Sequence, residues 1–249
     1  MVDVLLAADG ITRRFGGLVA VNAVSLRLER GSVHAVIGTN GAGKSTLINI
    51  LSGEIGASAG KVELLGEDVT TLSQPQRALR GLGRSYQRST IFPHFTVAEN
   101  CRLAAQATRQ RPWAIWEFAG ACPQATGRAR SAIDRAGLAQ DAERLAGSLP
   151  HGRKRQLEIA LCLATTPRVL LLDEPLAGMG PEETERMLAL LSQLKADHAI
   201  LLVEHDMDAV FRIADRITVM VNGIAIASDT PQSVRANPEV QRAYLGDGH

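Results

Sequence analysis

The sequence is poor in the features that mark several common classes of protein. It has three cysteines in 249 residues. Cys101, Cys122 and Cys162 are far apart, odd in number and never form CxxC, so neither a disulfide framework nor a zinc site is expected. They read as ordinary buried thiols. No apolar run approaches the roughly 18 to 20 residues that span a bilayer, and MVDVLLAADG at the start lacks a basic stretch followed by a long apolar one. The chain is therefore expected to stay in the cytoplasm. There is no internal repeat, no low-complexity tract and no heptad pattern for a coiled-coil arm.

Neither charge sign dominates, with 27 Lys and Arg against 26 Asp and Glu. That balance hides an asymmetry: residues 77–155 hold 14 basic against 5 acidic side chains, leaving 13 against 21 elsewhere. Such a segment could face nucleotide phosphates, anionic lipid or nucleic acid, or be a solvated Arg-rich helical surface. Nucleic acid is the least favoured, because aromatics make up only 4% of the chain and none interleaves with the basic residues to stack bases. The length fits one large domain, or a core with an inserted subdomain.

VSLRLE (24–29), HAVIG (34–38) and KVELLG (61–66) have strand character. KSTLINILSG carries apolar residues at helical spacing and closes on Gly53. From Val97 to Ala164 three helical stretches are punctuated by Pro112, Pro123, Gly137 and Pro150, which predicts an inserted helical subdomain. Strands return at RVLLLDEP (168–175), AILLVEHD (199–206) and RITVMVNG (216–223), alternating with helical stretches 181–196 and 207–214. Short Val/Ile/Leu runs followed by helices suit parallel strands buried on both faces. In such sheets ligands bind beyond the carboxyl ends of the strands.

Strand, Gly-rich turn and helix frame Gly38-Thr39-Asn40-Gly41-Ala42-Gly43-Lys44-Ser45, which satisfies GxxxxGK[ST] with Thr46 following. Glycines let the loop wrap so that backbone N–H groups point inward at a β-phosphate. Lys44 supplies charge for the β- and γ-phosphates, Ser45 a hydroxyl for Mg²⁺, and the helix its positive end. ATP with Mg²⁺ is the implied ligand. Asp173, at the end of an apolar strand, is expected to hold Mg²⁺, and Glu174 to act as general base on the attacking water. His205 ends another apolar strand, where it could hydrogen-bond the γ-phosphate or that water.

Phe15, the phosphate loop, Gln87 in RSYQRSTIFPHFTVAEN, LPHGRKRQLEIA (149–160), LLLDEP, AGMGPEE (177–183) and LLVEHD occur in the order found in ABC transporter ATPases. The chain resembles that family along its whole length. RFGGLVAVNAVSL, EHDM and NPEVQRAYLGD make it most similar to the ATP-binding subunits of bacterial high-affinity branched-chain amino acid importers. Relatives of that group are also associated with urea, amides and other small solutes.

The resemblance implies an α/β fold: a P-loop NTPase (RecA-like) core with an antiparallel β edge, residues 1–90 and 165–249, and a helical subdomain at 91–164. It implies that Phe15 stacks on adenine and that Gln87 reaches Mg²⁺ or the lytic water. It also implies that Gly152 and its flanks close over the γ-phosphate of an opposite subunit. The implied partners are two transmembrane permeases, a second ATPase subunit that is a copy or a paralogue, and indirectly a solute-binding protein, with the chain peripheral on the cytoplasmic face of the inner membrane. Two departures stand out. The family's signature Leu-Ser-Gly-Gly-Gln reads Leu149-Pro150-His151-Gly152-Arg153 here, and Gly180 stands where an acidic or amide residue is usual. A soluble ABC protein acting on DNA or ribosomes, and a non-hydrolysing ATP sensor, are the rival readings. The missing coiled-coil arms or tandem domains count against the first, and intact Glu174 and His205 against the second.

Overall fold

Among the described residues, two sheets and the helices packed against them carry the buried apolar side chains. The computed structural model describes residues 3–86, 91–107 and 123–245. In chain order the elements are β1 (Val4–Phe15), β2 (Leu18–Glu29), β3 (Val33–Gly38), α1 (Lys44–Ser52), β4 (Ala59–Leu64), β5 (Glu67–Asp68), α2 (Gln74–Ala78) and β6 (Leu82–Arg84). Then come α3 (Val97–Ala107), α4 (Pro123–Arg135), α5 (His151–Ala164), β7 (Val169–Asp173), α6 (Pro181–Leu194), β8 (Ala199–Val203) and α7 (Met207–Ile213). β9 (Arg216–Val221), β10 (Ile224–Asp229), α8 (Pro231–Ala236) and α9 (Pro238–Leu245) follow.

One sheet is antiparallel, ordered β2-β1-β4-β5, and the other runs β10-β9-β3-β8-β7-β6. Strands β9, β3, β8, β7 and β6 are mutually parallel, and β10 pairs antiparallel at the edge. Every residue of β3, β7 and β8 is buried, as expected of strands covered on both faces. Their alternation splits the core. Val169 and Leu171 pack with α1 and the antiparallel sheet, while Leu170 and Leu172 pack with α5 and α6. A separate cluster joins α3, α4 and α5 through Val97, Cys101, Ile133, Leu138 and Leu157. A fourth joins β9 and α7 to Val234 and Val240.

The basic segment turns out not to be a uniform solvated face. Arg77 is 1% exposed and donates to the carbonyls of Ile50 and Leu51, both at 2.8 Å, and to those of Leu72 and Thr70. It thereby satisfies orphan carbonyls at the end of α1. Arg84 and Arg155 are also interior, the latter paired with Glu158 at 2.9 Å. Cys101 and Cys162 are buried, and burial pushes both thiols up to about 12. Cys122 lies outside the described residues.

Candidate functional site

The carboxyl ends of β3, β8, β7 and β6 lie side by side, and each leads into a motif singled out from the sequence. β3 enters the phosphate loop, β8 leads to His205, β7 ends at Asp173 with Glu174 next, and β6 runs toward Gln87. Gln87 itself lies outside the described residues.

Gly38, Thr39, Asn40, Gly41, Ala42 and Gly43 form the turn before α1. Gly43 has φ +97°, and a Cβ there would run into the Ala20 carbonyl; one on Gly38 would strike the Met220 carbonyl. Both positions therefore need glycine to bring the loop this close to β2 and β9. Lys44 is buried, and its ammonium donates to the carbonyls of Gly38 at 2.7 Å and Thr39 at 3.0 Å. Burial lowers its pKa, against the pull of Glu174 and Asp173. Both carboxylates are therefore close enough to act on the loop's cation. Ser45 and Thr46, in the first turn of α1, line a cleft of about 420 Å³ together with Phe15, Leu18, Gly41 and Asn222.

Asp173 is 5% exposed. Its amide bonds the Ser85 hydroxyl at 3.3 Å, while Oδ1 is buried with no hydrogen-bond partner. Burial pushes this carboxyl above the usual range, Arg84 pulls it down and Glu174 pushes it up again. Arg84 stands 3.9 Å from Asp173, bonds Ser52 at 2.5 Å and Glu54 at 2.6 Å, and contacts Asn49. It braces the start of the site against the end of α1. A buried carboxylate oxygen without a donor, beside a phosphate loop, fits a hard divalent cation. Among the described residues no cluster of three His, Cys, Asp or Glu could hold a metal. Mg²⁺ does not require one, since it is commonly held by one or two carboxylates with phosphates and water.

Glu174 has φ +49°, a left-handed conformation that costs a non-glycine residue about 1–3 kcal/mol. Its amide donates to the Val203 carbonyl at 2.9 Å, which holds the turn against β8. His205 is exposed, and its Nδ1 lies 3.8 Å from the fully buried Glu204 carboxylate.

Phe15 ends β1 at 45% exposure, with the Arg13 guanidinium 4.6 Å over its ring. An exposed ring backed by a cation offers its other face for stacking. Gly152 lies in the first turn of α5. Its amide donates to Glu183 Oε1 at 3.2 Å, while Glu183 Oε2 takes the Gly180 amide at 3.4 Å. Pro150 caps α5 with no side-chain bond.

The pattern of the ABC transporter family matches residues 21–177. The chain belongs to that family. Its ATP-binding members are ATPases coupled to transport. The C-terminal residues 226–249 match a second pattern, described as branched-chain amino acid ATP-binding cassette transporter. The chain is 38% identical, over 98% of both chains, to the high-affinity branched-chain amino acid transport ATP-binding protein BraF of Pseudomonas aeruginosa. It is 40% identical to LivG of Escherichia coli K12, described in the same words, over 99% of this chain and 100% of that one. Among solved structures it is similar to a nucleotide-free ATP-binding cassette from an ABC transporter, with TM-score 0.87, 28% identity and coverage of 98% of this chain and 100% of that one. The ADP conformation of the cassette MJ1267 gives TM-score 0.88 at 28% identity, covering 98% and 99%. The expected fold of this ABC ATPase, a P-loop core with an antiparallel β edge and inserted helices, is borne out.

Reasoning from the sequence missed Arg84, Arg13, Glu183 and Glu204. Glu204 had a visible signal, since it is a charged residue directly after the apolar strand β8; Arg84 ends the three-residue strand β6, which is too short to show a pattern. Arg13 and Glu183 act through contacts that no spacing rule picks out.

Proposed function

We propose that this chain binds MgATP and hydrolyses it as an ATPase subunit of an importer for branched-chain amino acids, seated peripherally on the cytoplasmic face of the inner membrane. The observation that carries the ATPase site is the adjacency of three parallel strand ends bearing the Lys44 loop, Asp173–Glu174 and His205. The solute reading is supported by the names of BraF and LivG and by the C-terminal pattern. In the described residues no helix is long and apolar enough to cross a membrane. The path for the solute is assigned to two permease subunits, fed by a solute-binding protein, with no nucleic acid involved.

In this reading Phe15 stacks on adenine, the loop amides of residues 38–46 cradle the phosphates, and Lys44 exchanges its carbonyl partners for β- and γ-phosphate oxygens. Ser45, Asp173 and Gln87 would hold Mg²⁺, which would supply positive charge against the charge developing on the phosphates. Glu174 takes a proton from the attacking water, and His205 bonds the γ-phosphate. Gly152 of a second ATPase subunit closes the site, and residues 91–164 form the subdomain that relays closure to the permeases. Uptake of labelled leucine by cells lacking the gene tests the solute. Leucine uptake restored by the wild-type chain and not by Glu174→Gln is the expected result. Leucine uptake that does not depend on the gene overturns the assignment.

A further inference from the structure

Strand β8 is followed by a charged residue that never reaches solvent. Glu204 is 0% exposed, and its carboxylate lies between the turn that follows β7 and the turn that follows β8. Oε1 accepts from the Leu176 amide at 2.8 Å. Oε2 accepts from the His205 amide at 3.2 Å and stands 3.8 Å from the ring nitrogen Nδ1. The titratable groups facing it are the His205 ring and Glu174. Burial and Glu174 push its carboxyl up, whereas the two amides and His205 pull it down.

A neutral side chain could have accepted from the Leu176 amide without taking a charge out of water, a costly transfer unless the charge has partners. What the carboxylate adds is a second acceptor with negative charge on the Nδ1 edge of His205. The His205 side chain is otherwise 63% exposed, so little else fixes its ring. A separation of 3.8 Å is ion-pair range and longer than a hydrogen bond; a small ring movement closes it.

We propose that Glu204 is a positioning residue for ATP hydrolysis: anchored by the Leu176 amide, it accepts from Nδ1–H of His205 and so turns the opposite edge of the ring, with its Nε2–H donor, toward the γ-phosphate. This rests on the role given to His205 above. Displacement of a catalytic group by about 1 Å can cost on the order of 100-fold in rate, so loosening one ring has a measurable effect. The carboxylate acts through the ring and touches neither nucleotide nor water.

The test is a double-mutant cycle on the intact chain under single-turnover conditions, comparing wild type, Glu204→Gln, His205→Ala and the pair. Gln keeps the volume and one carbonyl oxygen for Leu176. Glu204→Gln is expected to slow hydrolysis about tenfold while KM for ATP moves less than about twofold, and to add nothing in the His205→Ala background. An unchanged rate in Glu204→Gln, or the same tenfold loss without His205, overturns the inference. His205→Ala turning over at the wild-type rate would instead remove the role of His205 itself. If Glu204→Gln does not fold, ¹⁵N shifts of the His205 ring in the nucleotide-bound wild type decide: protons on both Nδ1 and Nε2 support the proposal, and a ring that lacks either proton overturns it.

Discussion

Two helix starts in this chain are read as facing nucleotide phosphate, and they are equipped very differently. α1 follows a loop whose glycines permit tight wrapping, and its first residue, Lys44, already holds its ammonium against the loop carbonyls of Gly38 and Thr39. α5 follows Pro150, which has neither a hydroxyl nor a backbone N–H. The Gly152 amide already serves Glu183, and the Arg153 guanidinium is turned to the Gly137 carbonyl at 2.8 Å and toward Asp141 at 3.6 Å. The helix dipole is common to both starts. The side chains around it separate a site with its own cation from one whose amide is occupied by an internal carboxylate.

The comparison breaks most visibly at the phosphate loop. Lys44→Ala should abolish ATP binding at ordinary concentrations, measured by equilibrium binding of labelled ATP. Glu174→Gln should keep binding, trap a closed dimer and slow hydrolysis at least about 100-fold, the scale of a lost general base. Wild-type turnover in Glu174→Gln would remove it from the catalytic role.

Acid should weaken the strand that carries the phosphate loop. His34, in β3, is 2% exposed, with Nδ1 at 3.1 Å from the Arg27 carbonyl and Nε2 at 2.7 Å from the Thr218 hydroxyl. Burial pushes its pKa down from 6.5 to about 4. The folded chain then binds this proton less readily than the unfolded one. Stability is full above pH 6.5 and falls until about pH 4, by about 3 kcal/mol at 1.36 kcal/mol per unit. His198, also lowered by burial, acts in the same direction. Urea midpoints from pH 7.5 to 4.5 should fall less steeply in His34→Gln; equal slopes would clear His34.

Dilution probes the other helix start. If Gly152 completes a site on a second subunit, specific activity should fall as the chain is diluted through its dimerisation range, about tenfold per decade at the low end. Flat activity from a species shown to be monomeric would sink the shared site.

The buried strands of the parallel sheet and the loop between β3 and α1 were legible because each is a local pattern: a short apolar run, a Gly-rich turn, a helical period. β1 was not read as a strand. Leu5 to Ala8 are contiguous apolar residues, and bulges at several points break its alternation. The interior arginines were unreadable for another reason. Arg77 is buried because four carbonyls from distant segments meet there, and charge counting treats such a residue as surface. Glu204 was passed over for a different reason: the adjacent histidine drew the chemical reading.

The smallest expected effect separates the two helix starts most finely. A serine at Pro150 would offer a hydroxyl to a charged phosphate, a bond worth roughly 1.5–3 kcal/mol. Arg153 does not substitute for it, because its guanidinium also bonds Gln156 at 3.1 Å within its own helix. Pro150→Ser should therefore tighten ATP-driven dimerisation by about 10-fold, and at most about 100-fold. The Glu183 carboxylate beside Gly152 pulls toward the lower figure, since it must yield the amide and it repels phosphate. Serine would also cap α5 by accepting from its first-turn amides, worth about 1 kcal/mol to the isolated subunit. Comparing Pro150→Ser with Pro150→Ala, each by dimerisation midpoint and by melting temperature, separates the two contributions. A gain in dimerisation confined to serine identifies the hydroxyl. Midpoints indistinguishable from wild type would mean that this loop meets phosphate through its backbone alone, and the contrast with α1 would then rest on Lys44.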